Sequence, residues 1–187
     1  ALGGFYSFQA NQQYVLTLWD AGTHNTFDLS GYGQDAVIDL HPGNFSSAGG
    51  LRNNIGIAFG TVIETGIGGA GNDWIYASDV NSTLRGNSGN DVLMGGAGDD
   101  TLIGGPGRDL FDGGGGRNIL RDTLADHNGD RVLHFGLSTT IDILDALVGR
   151  DHLKVIDTPQ VGTTLVLDNT SIDLAGHFGG GEFLAVA

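Results

Sequence analysis

The most regular feature of the chain is a nine-residue hydrophobic pattern over residues 68–121. In six consecutive nonapeptides, one large apolar residue stands at the eighth position, after a stretch of small and polar residues. A fixed short period is typical of a solenoid, in which each repeat contacts only its neighbours. The pattern predicts a three-residue strand with its middle side chain inward. The inward residues are Ile75, Leu84, Leu93, Leu102, Phe111 and Leu120.

Each predicted strand follows a six-residue turn of the form GGxGxD or a variant of it. Two repeats make one coil of eighteen residues, with a strand on each side, so the repeats predict a parallel β-roll. Turns eighteen residues apart then stack on the same edge. The turn of 68–73 stacks on 86–91 and 104–109, and the turn of 77–82 stacks on 95–100 and 113–118.

Short runs of β-forming residues flank the repeats. Predicted strands lie at 14–19, 26–29, 36–40, 55–59, 61–64, 153–157, 164–168 and 171–174. Residues 138–147 are predicted as a short helix, with Ile141, Leu144, Leu147 and Val148 on one face. The expected fold is all-β: a parallel β-roll flanked by β-sandwich strands, with at most one or two short helices. The predicted domains are N-terminal strands packing on the roll (1–66), the roll (67–121) and a β-rich cap (122–187).

Composition narrows the partners. The chain has 22 acidic and 8 basic residues, a formal net charge of −14, and no cysteine. This charge disfavours nucleic acid and anionic membranes, and no apolar run is long enough to span a bilayer. Without cysteine, neither disulfides nor thiolate metal sites can form. The first residues lack the basic and apolar regions of a signal peptide.

Acidic residues recur at the sixth position of the repeats, where Asp73, Asp91 and Asp109 form an unbroken column on one edge. Stacked strands lie about 4.8 Å apart. Carboxylates at that spacing repel by roughly 1 kcal/mol in water and more when buried. A divalent cation between turns would turn the same charges into ligands. We therefore expect folding and calcium binding to be one event.

The other edge carries Ser82, Asp100 and Asn118, so its sites are predicted to be weaker. Turn carbonyls and carboxylates are hard oxygen ligands that suit Ca²⁺ better than zinc or copper. Glycines let those carbonyls converge, because they reach positive φ at little cost. Besides the column residues, the predicted metal-site residues in the turns are Gly69, Gly71, Gly86, Asn87, Gly89, Gly95, Gly96, Gly98, Gly104, Gly105 and Gly107.

The repeats resemble the RTX (repeats-in-toxin) motif of proteins exported by type I secretion. Upstream, residues 16–32, 37–51 and 54–73 are similar to the C-terminal domain of serralysins, secreted bacterial metalloproteases of the peptidase M10 class. The resemblance implies a parallel β-roll with several structural calcium ions. It also implies that Val62 and Glu64 close the first calcium site. In the family, the turn at 19–28 binds calcium too, but Asn25 stands here where the pattern has Asp.

The catalytic half of that family has no counterpart in this sequence. None of the six histidines forms even an HxxxH pair, and no Ser lies in a GxSxG elbow. The resemblance implies a non-catalytic, secreted, extracellular bacterial module, with an N-terminal catalytic domain in the parent protein and the type I secretion machinery as partners. The ending at 182–187 resembles an uncleaved type I secretion signal, or is an edge strand.

Two further interpretations remain open. A polysaccharide- or surface-binding module of a secreted lyase, epimerase or adhesin could use Trp19, Tyr32, Trp74 and Tyr76 as a sugar-stacking platform. A small enzyme would need a site of its own. The group Asp126, His127, Asp130 and His134 is more typical of a polar loop than of a zinc or catalytic centre.

Overall fold

A computed structural model describes most of the chain. The described residues are 4–8, 12–135, 138–145, 153–158, 162–167 and 170–176. They form eighteen short strands and no helix, and none is part of a helix that could cross a membrane. The strands are β1 Phe5–Ser7, β2 Leu16–Leu18, β3 Thr26–Asp28, β4 Val37–Asp39, β5 Phe45–Ser46, β6 Ile55–Ile57, β7 Thr65–Ile67, β8 Trp74–Tyr76, β9 Thr83–Arg85, β10 Val92–Met94, β11 Thr101–Ile103, β12 Leu110–Asp112, β13 Asn118–Asp122, β14 Arg131–Leu133, β15 Thr139–Ile143, β16 Leu153–Thr158, β17 Gly162–Leu167 and β18 Thr170–Leu174.

Two sheets form the walls of the roll. One is a parallel sheet in the order β1-β3-β7-β9-β11-β13-β15. The other has the order β16-β17-β18-β14-β12-β10-β8-β4 and is parallel from β18 to β4, while β16, β17 and β18 pair antiparallel. A third, small sheet contains β2, β6 and β5. The predicted all-β fold with a parallel β-roll is confirmed.

The roll advances by eighteen residues per coil, as the repeat predicts. Trp74 pairs with Val92, and Val92 pairs with Leu110. The predicted inward side chains all have zero exposure: Ile75, Leu84, Leu93, Leu102, Phe111 and Leu120. One column of apolar side chains therefore fills the narrow space between the two walls.

Strand pairing continues on both sides of the repeats. Upstream strands β3 and β7 pair with each other and β7 pairs with β9, while β4 pairs with β8. Downstream, β14 pairs with β12 and β15 pairs with β13. The sequence-based boundaries at 66/67 and 121/122 fall inside β7 and β13. The division into three domains stays a prediction.

Two predicted elements are wrong. The helix expected from 138 is instead β15, which pairs with β13 over five residues. Its sequence, TTIDI, is rich in β-branched residues that pack well on a pleated surface, and pairing with the sheet decides the outcome. The last two residues of that prediction, with Val148, lie outside the described part. The strand expected at 61–64 is a connection, and β7 begins at Thr65.

Candidate metal centre

The residues at the start of the roll strands, or immediately before them, form a column along each edge of the fold. On one edge this column contains Asp73, Asp91, Asp109 and Asp130, which we call the acidic column. Each later member accepts a hydrogen bond from the backbone N–H of the member before it. The bonds run from Asp73 N to Asp91 Oδ1 (2.7 Å), from Asp91 N to Asp109 Oδ1 (2.8 Å) and from Asp109 N to Asp130 Oδ1 (2.8 Å). The stacking predicted for the first three is confirmed.

Two of the second carboxylate oxygens in this column lack donors. Oδ2 of Asp91 and Oδ2 of Asp109 are buried and have no hydrogen-bond partner, and Oδ2 of Asp100 on the other edge is in the same state. These three residues are at most 2 % exposed. A buried carboxylate oxygen without a partner is costly, because it has lost water and gained nothing. A cation bound in these turns would supply the partner that each of these oxygens lacks.

Burial also makes these carboxylates difficult to ionise. It raises the pKa of Asp91 to about 7 and the pKa of Asp109 to about 8, and neighbouring column carboxylates add to both shifts. Burial raises the pKa of Asp100 to about 6. Burial also raises the pKa of Asp73, although N–H groups of the backbone oppose the shift. The acidic column therefore needs either protons or cations to neutralise it.

The turn glycines bring backbone carbonyls into the space between stacked turns. A Cβ on Gly107 would overlap Gly89 O, and a Cβ on Gly89 would overlap Gly71 O. A Cβ on Gly105, whose φ is 88°, would overlap Asn87 O. The carbonyls at the second and fourth turn positions therefore face the next turn. Only glycine permits this approach.

Carboxylate and carbonyl oxygens also approach the same point. A Cβ on Gly86 would overlap Asp91 Oδ2 and lie 2.7 Å from Gly104 O. A Cβ on Gly95 would lie 2.7 Å from Asp100 Oδ2 and 2.6 Å from a carbonyl of the next turn. The remaining predicted turn glycines also lie where a Cβ would meet backbone or carboxylate oxygens: Gly69, Gly71, Gly96, Gly98 and Gly104. Buried carboxylate oxygens without donors, beside converging carbonyls, fit the oxygen coordination of Ca²⁺.

The other edge has a column of mixed character, made of Asn25, Glu64, Ser82, Asp100 and Asn118, which we call the mixed column. It follows the same rule: Ser82 N donates to Asp100 Oδ1 (2.7 Å), and Asp100 N donates to Asn118 Oδ1 (3.0 Å). Asn25 N donates to Glu64 Oε2 (2.8 Å). Carboxylates in this column alternate with neutral residues, so no two acidic members are adjacent.

The neutral members of the mixed column supply their own donors. Ser82 Oγ donates to Val80 O (2.9 Å), and Asn118 Nδ2 donates to Gly115 O (2.9 Å). Asn25 Nδ2 donates to Val62 O (2.7 Å). Side-chain hydrogens therefore satisfy several turn carbonyls on this edge. The predicted ligands Val62 and Glu64 already have hydrogen-bond partners in this structure.

Sequence reasoning missed Asn25 and Asp130 as column members. Both lie outside the nine-residue period, and Asp130 is 21 residues from Asp109 instead of 18. The available signal was position, since each stands immediately before a short β-run.

The group at 126–134 does not converge on one site. His127 Nδ1 contacts Asp130 Oδ2 at 3.2 Å, and both side chains are buried. Asp126 accepts a hydrogen bond from Thr123, and His134 contacts Asp112 with 78 % of its side chain exposed. Within the described ranges, no three His, Asp or Glu side chains come close enough to hold a metal ion. A cation on either edge would therefore have to use backbone carbonyls.

The fold and these columns define a parallel β-roll repeat protein with oxygen-lined turns. A family model described as "Peptidase M10 serralysin C terminal" matches residues 3–158. The chain belongs to this family. The predicted resemblance to RTX repeats and to the serralysin C-terminal domain is confirmed.

Two of the similar proteins are serralysins. Serralysin from Proteus mirabilis is 48 % identical over 75 residues, which cover 40 % of this chain and 15 % of that protein. Serralysin B from Dickeya chrysanthemi is 48 % identical over 64 residues, covering 34 % and 13 %. The chain thus matches about one seventh of the length of these relatives. A solved structure of the AlgE6R3 subunit from the Azotobacter vinelandii mannuronan C5-epimerase has 24 % identity and a TM-score of 0.45, covering 59 % of this chain and 71 % of that one.

Proposed function

We propose that this chain is a non-catalytic calcium-binding module of a larger secreted bacterial protein. Two strong sites lie on the acidic column, one between the turns that end at Asp73 and Asp91 and one between those that end at Asp91 and Asp109. A weaker site lies beside Asp100 on the mixed column. Asp91 contributes to both strong sites.

One observation carries this proposal: Asp91 and Asp109 each bury a carboxylate oxygen that has no donor. Each Oδ1 is already committed to a backbone N–H of the stacked turn, so the column cannot rearrange to satisfy Oδ2 without breaking the stack. A Ca²⁺ ion takes six to eight oxygens and tolerates irregular geometry. Turn carbonyls and carboxylates supply that type of ligand here.

Ion binding couples to folding because only the stacked turns bring the ligands together. The chain would stay unfolded where calcium is scarce, inside the cell, and fold where calcium is near millimolar, outside it. Family membership supports the assignment to a secreted protein, with a metalloprotease as parent, an N-terminal catalytic domain as partner and type I secretion as the export route. The proposed secretion signal at 182–187 lies outside the described residues.

Circular dichroism during a calcium titration tests the proposal. At about pH 8, where the column carboxylates lose their protons, calcium-depleted protein should give a disordered spectrum, and added calcium should restore the β signal in a cooperative transition. Magnesium at the same concentration is the control, since it demands a smaller, near-octahedral site and should be far less effective. A depleted protein that retains its full β signal, or equal recovery with both ions, would contradict the proposal.

A second candidate function, glycan or surface binding, rests on the aromatic pair of Trp74, which is exposed, and Tyr76, which is half-buried. Trp74 is 51 % exposed, and the ring centroids lie 6.3 Å apart. Tyr32 is buried and donates to Gln12 O, so it cannot belong to a sugar platform. A glycan array with Trp74→Ala as control tests this candidate. Absence of any signal that depends on Trp74 removes it.

A further inference from the structure

The side chain of Asn25 is completely buried and uses all its hydrogen-bonding groups. Nδ2 donates to Val62 O at 2.7 Å and to Gly22 O at 3.2 Å, while Oδ1 accepts from Gly4 N at 2.5 Å. Only one amide orientation gives this result, because a flipped amide would place oxygen against both carbonyls and NH₂ against an N–H. The network therefore fixes the amide nitrogen between two backbone carbonyls.

The carboxylates around this turn also have donors. Glu64 Oε1 accepts from His24 N at 2.9 Å, and Glu64 Oε2 accepts from Asn25 N at 2.8 Å. Asp20 Oδ1 accepts from Gly22 N at 2.6 Å. Both oxygens of Glu64 are thus hydrogen-bonded, unlike the second oxygens of Asp91 and Asp109 in the acidic column.

We propose that the Asn25 side-chain amide closes this N-terminal turn in place of a metal ion, so that neither Val62 nor Glu64 is a ligand here. A calcium ion would lie 2.3–2.6 Å from each liganding oxygen. Nδ2 already lies 2.7 Å from Val62 O, so the amide occupies the space that an ion shared by Val62 O and the side chain of residue 25 would need. Two N–H groups provide the positive charge density that the carbonyls need. This assignment replaces the ligand role that the family resemblance gives to both residues.

A neutral amide also avoids repulsion with its surroundings. Asp20 Oδ2 and Asn25 Oδ1 lie 2.6 and 3.0 Å from the position that a Cβ on Gly4 would take. Asn25→Asp would remove both donors and add a carboxylate beside Asp20 and Glu64. Gly22 O and Val62 O would then face a carboxylate oxygen instead of an amide NH₂ group. The single substitution should create a cation site that the natural chain lacks.

Native mass spectrometry of the whole chain in calcium measures this directly as the number of bound ions. Asn25→Asp should bind one more ion than the natural chain. Asn53→Asp is the charge-matched control, because Asn53 is exposed and lies outside both columns; it should bind the same number as the natural chain. Asn25→Ala should also bind the same number but melt at a lower temperature, because two carbonyls and one N–H lose their partners.

Two results would overturn the inference: an unchanged ion number in Asn25→Asp, or the loss of one ion in Asn25→Ala, which would make Asn25 a ligand. The inference and the proposed function fail separately. A natural chain without bound calcium removes the proposed function, whereas the difference of one ion between Asn25→Asp and the natural chain still tests the role of the amide.

Discussion

The two edges of the roll have the same backbone architecture but different chemistry. In both columns, a side-chain oxygen accepts the N–H of the residue one coil before it. The acidic column repeats a carboxylate at every step, and the second oxygens of Asp91 and Asp109 are left without donors, as is that of Asp100 on the other edge. The mixed column places Asn or Ser between carboxylates, and their hydrogens reach the turn carbonyls.

This difference shows that the hydrogen bonds that hold the stack together do not depend on whether the charge of the column is neutralised. One oxygen per column residue suffices to hold the stack together, and Asp, Asn, Ser or Glu can complete the column in different ways. The second group of each side chain decides whether the edge needs an external cation. Calcium dependence should therefore follow the identity of the column residues more closely than the fold itself.

Both edges require stacked turns to approach closely. The largest loss of stability is therefore expected from a substitution that prevents this approach. Gly107→Ala should lower the free energy of unfolding by more than about 2 kcal/mol, because its Cβ would overlap Gly89 O. Gly115→Ala is the matched control: its Cβ would meet Ala97 at 3.4 Å, an ordinary contact. Urea denaturation in saturating calcium measures both. Equal losses would mean that the turns stack more loosely than these contacts indicate.

The next largest effect is a difference in calcium affinity between the two edges. Asp91→Ala should raise the calcium concentration at the folding midpoint at least tenfold, about 1.4 kcal/mol, because Asp91 serves two proposed sites. Ser82→Ala, at the equivalent height of the mixed column, should raise it by less than about threefold, roughly 0.7 kcal/mol. Circular dichroism titrations give both midpoints. Equal shifts would refute the assignment of strong and weak edges.

The structure of the repeats is predicted well from the sequence, whereas the segments on either side of them are predicted poorly. The nine-residue period fixes the inward side chains and the stacking of Asp73, Asp91 and Asp109, because a narrow coil leaves one register. Asn25 and Asp130 were not predicted as column residues, because connections of other lengths separate them from the repeats and break the period. The strand at 139–143 was predicted as a helix, because a short amphipathic helix and a short β-branched strand have similar hydrophobic patterns. Its pairing with β13 decides between the two.

Ion-free protein should become less stable as pH rises, through its buried carboxylates. Folding raises the pKa of Asp91 to about 7 and of Asp109 to about 8, above the value of about 3.9 in an unfolded chain. The folded form therefore holds more protons between about pH 4 and pH 8, and its free energy of unfolding falls across that window. Circular dichroism of calcium-depleted protein should show most β signal at the acidic end.

The pH profile also distinguishes the edges. Asp109→Asn should reduce the slope over the whole window from about pH 4 to about pH 8, whereas Asp100→Asn should reduce it only below about pH 6, because the pKa of Asp109 is about 8 and that of Asp100 is about 6. In saturating calcium the trend reverses, since protons then compete with the ion for the same oxygens. A calcium-depleted protein that gains β signal from about pH 5 to about pH 8 would contradict this account.

In saturating calcium, the smallest expected effect comes from making the mixed column resemble the acidic one. Ser82→Asp would place a third carboxylate between those of Glu64 and Asp100, and would remove the hydroxyl that donates to Val80 O. Each new neighbouring pair should cost roughly 1 kcal/mol without calcium, and calcium should restore that loss. Ser82→Asn is the control, because it keeps an oxygen acceptor without charge. Thermal melts measure the calcium dependence of both variants. Equal dependence would mean that the charge of the column does not determine whether an edge needs calcium. Backbone carbonyls alone would then have to explain binding.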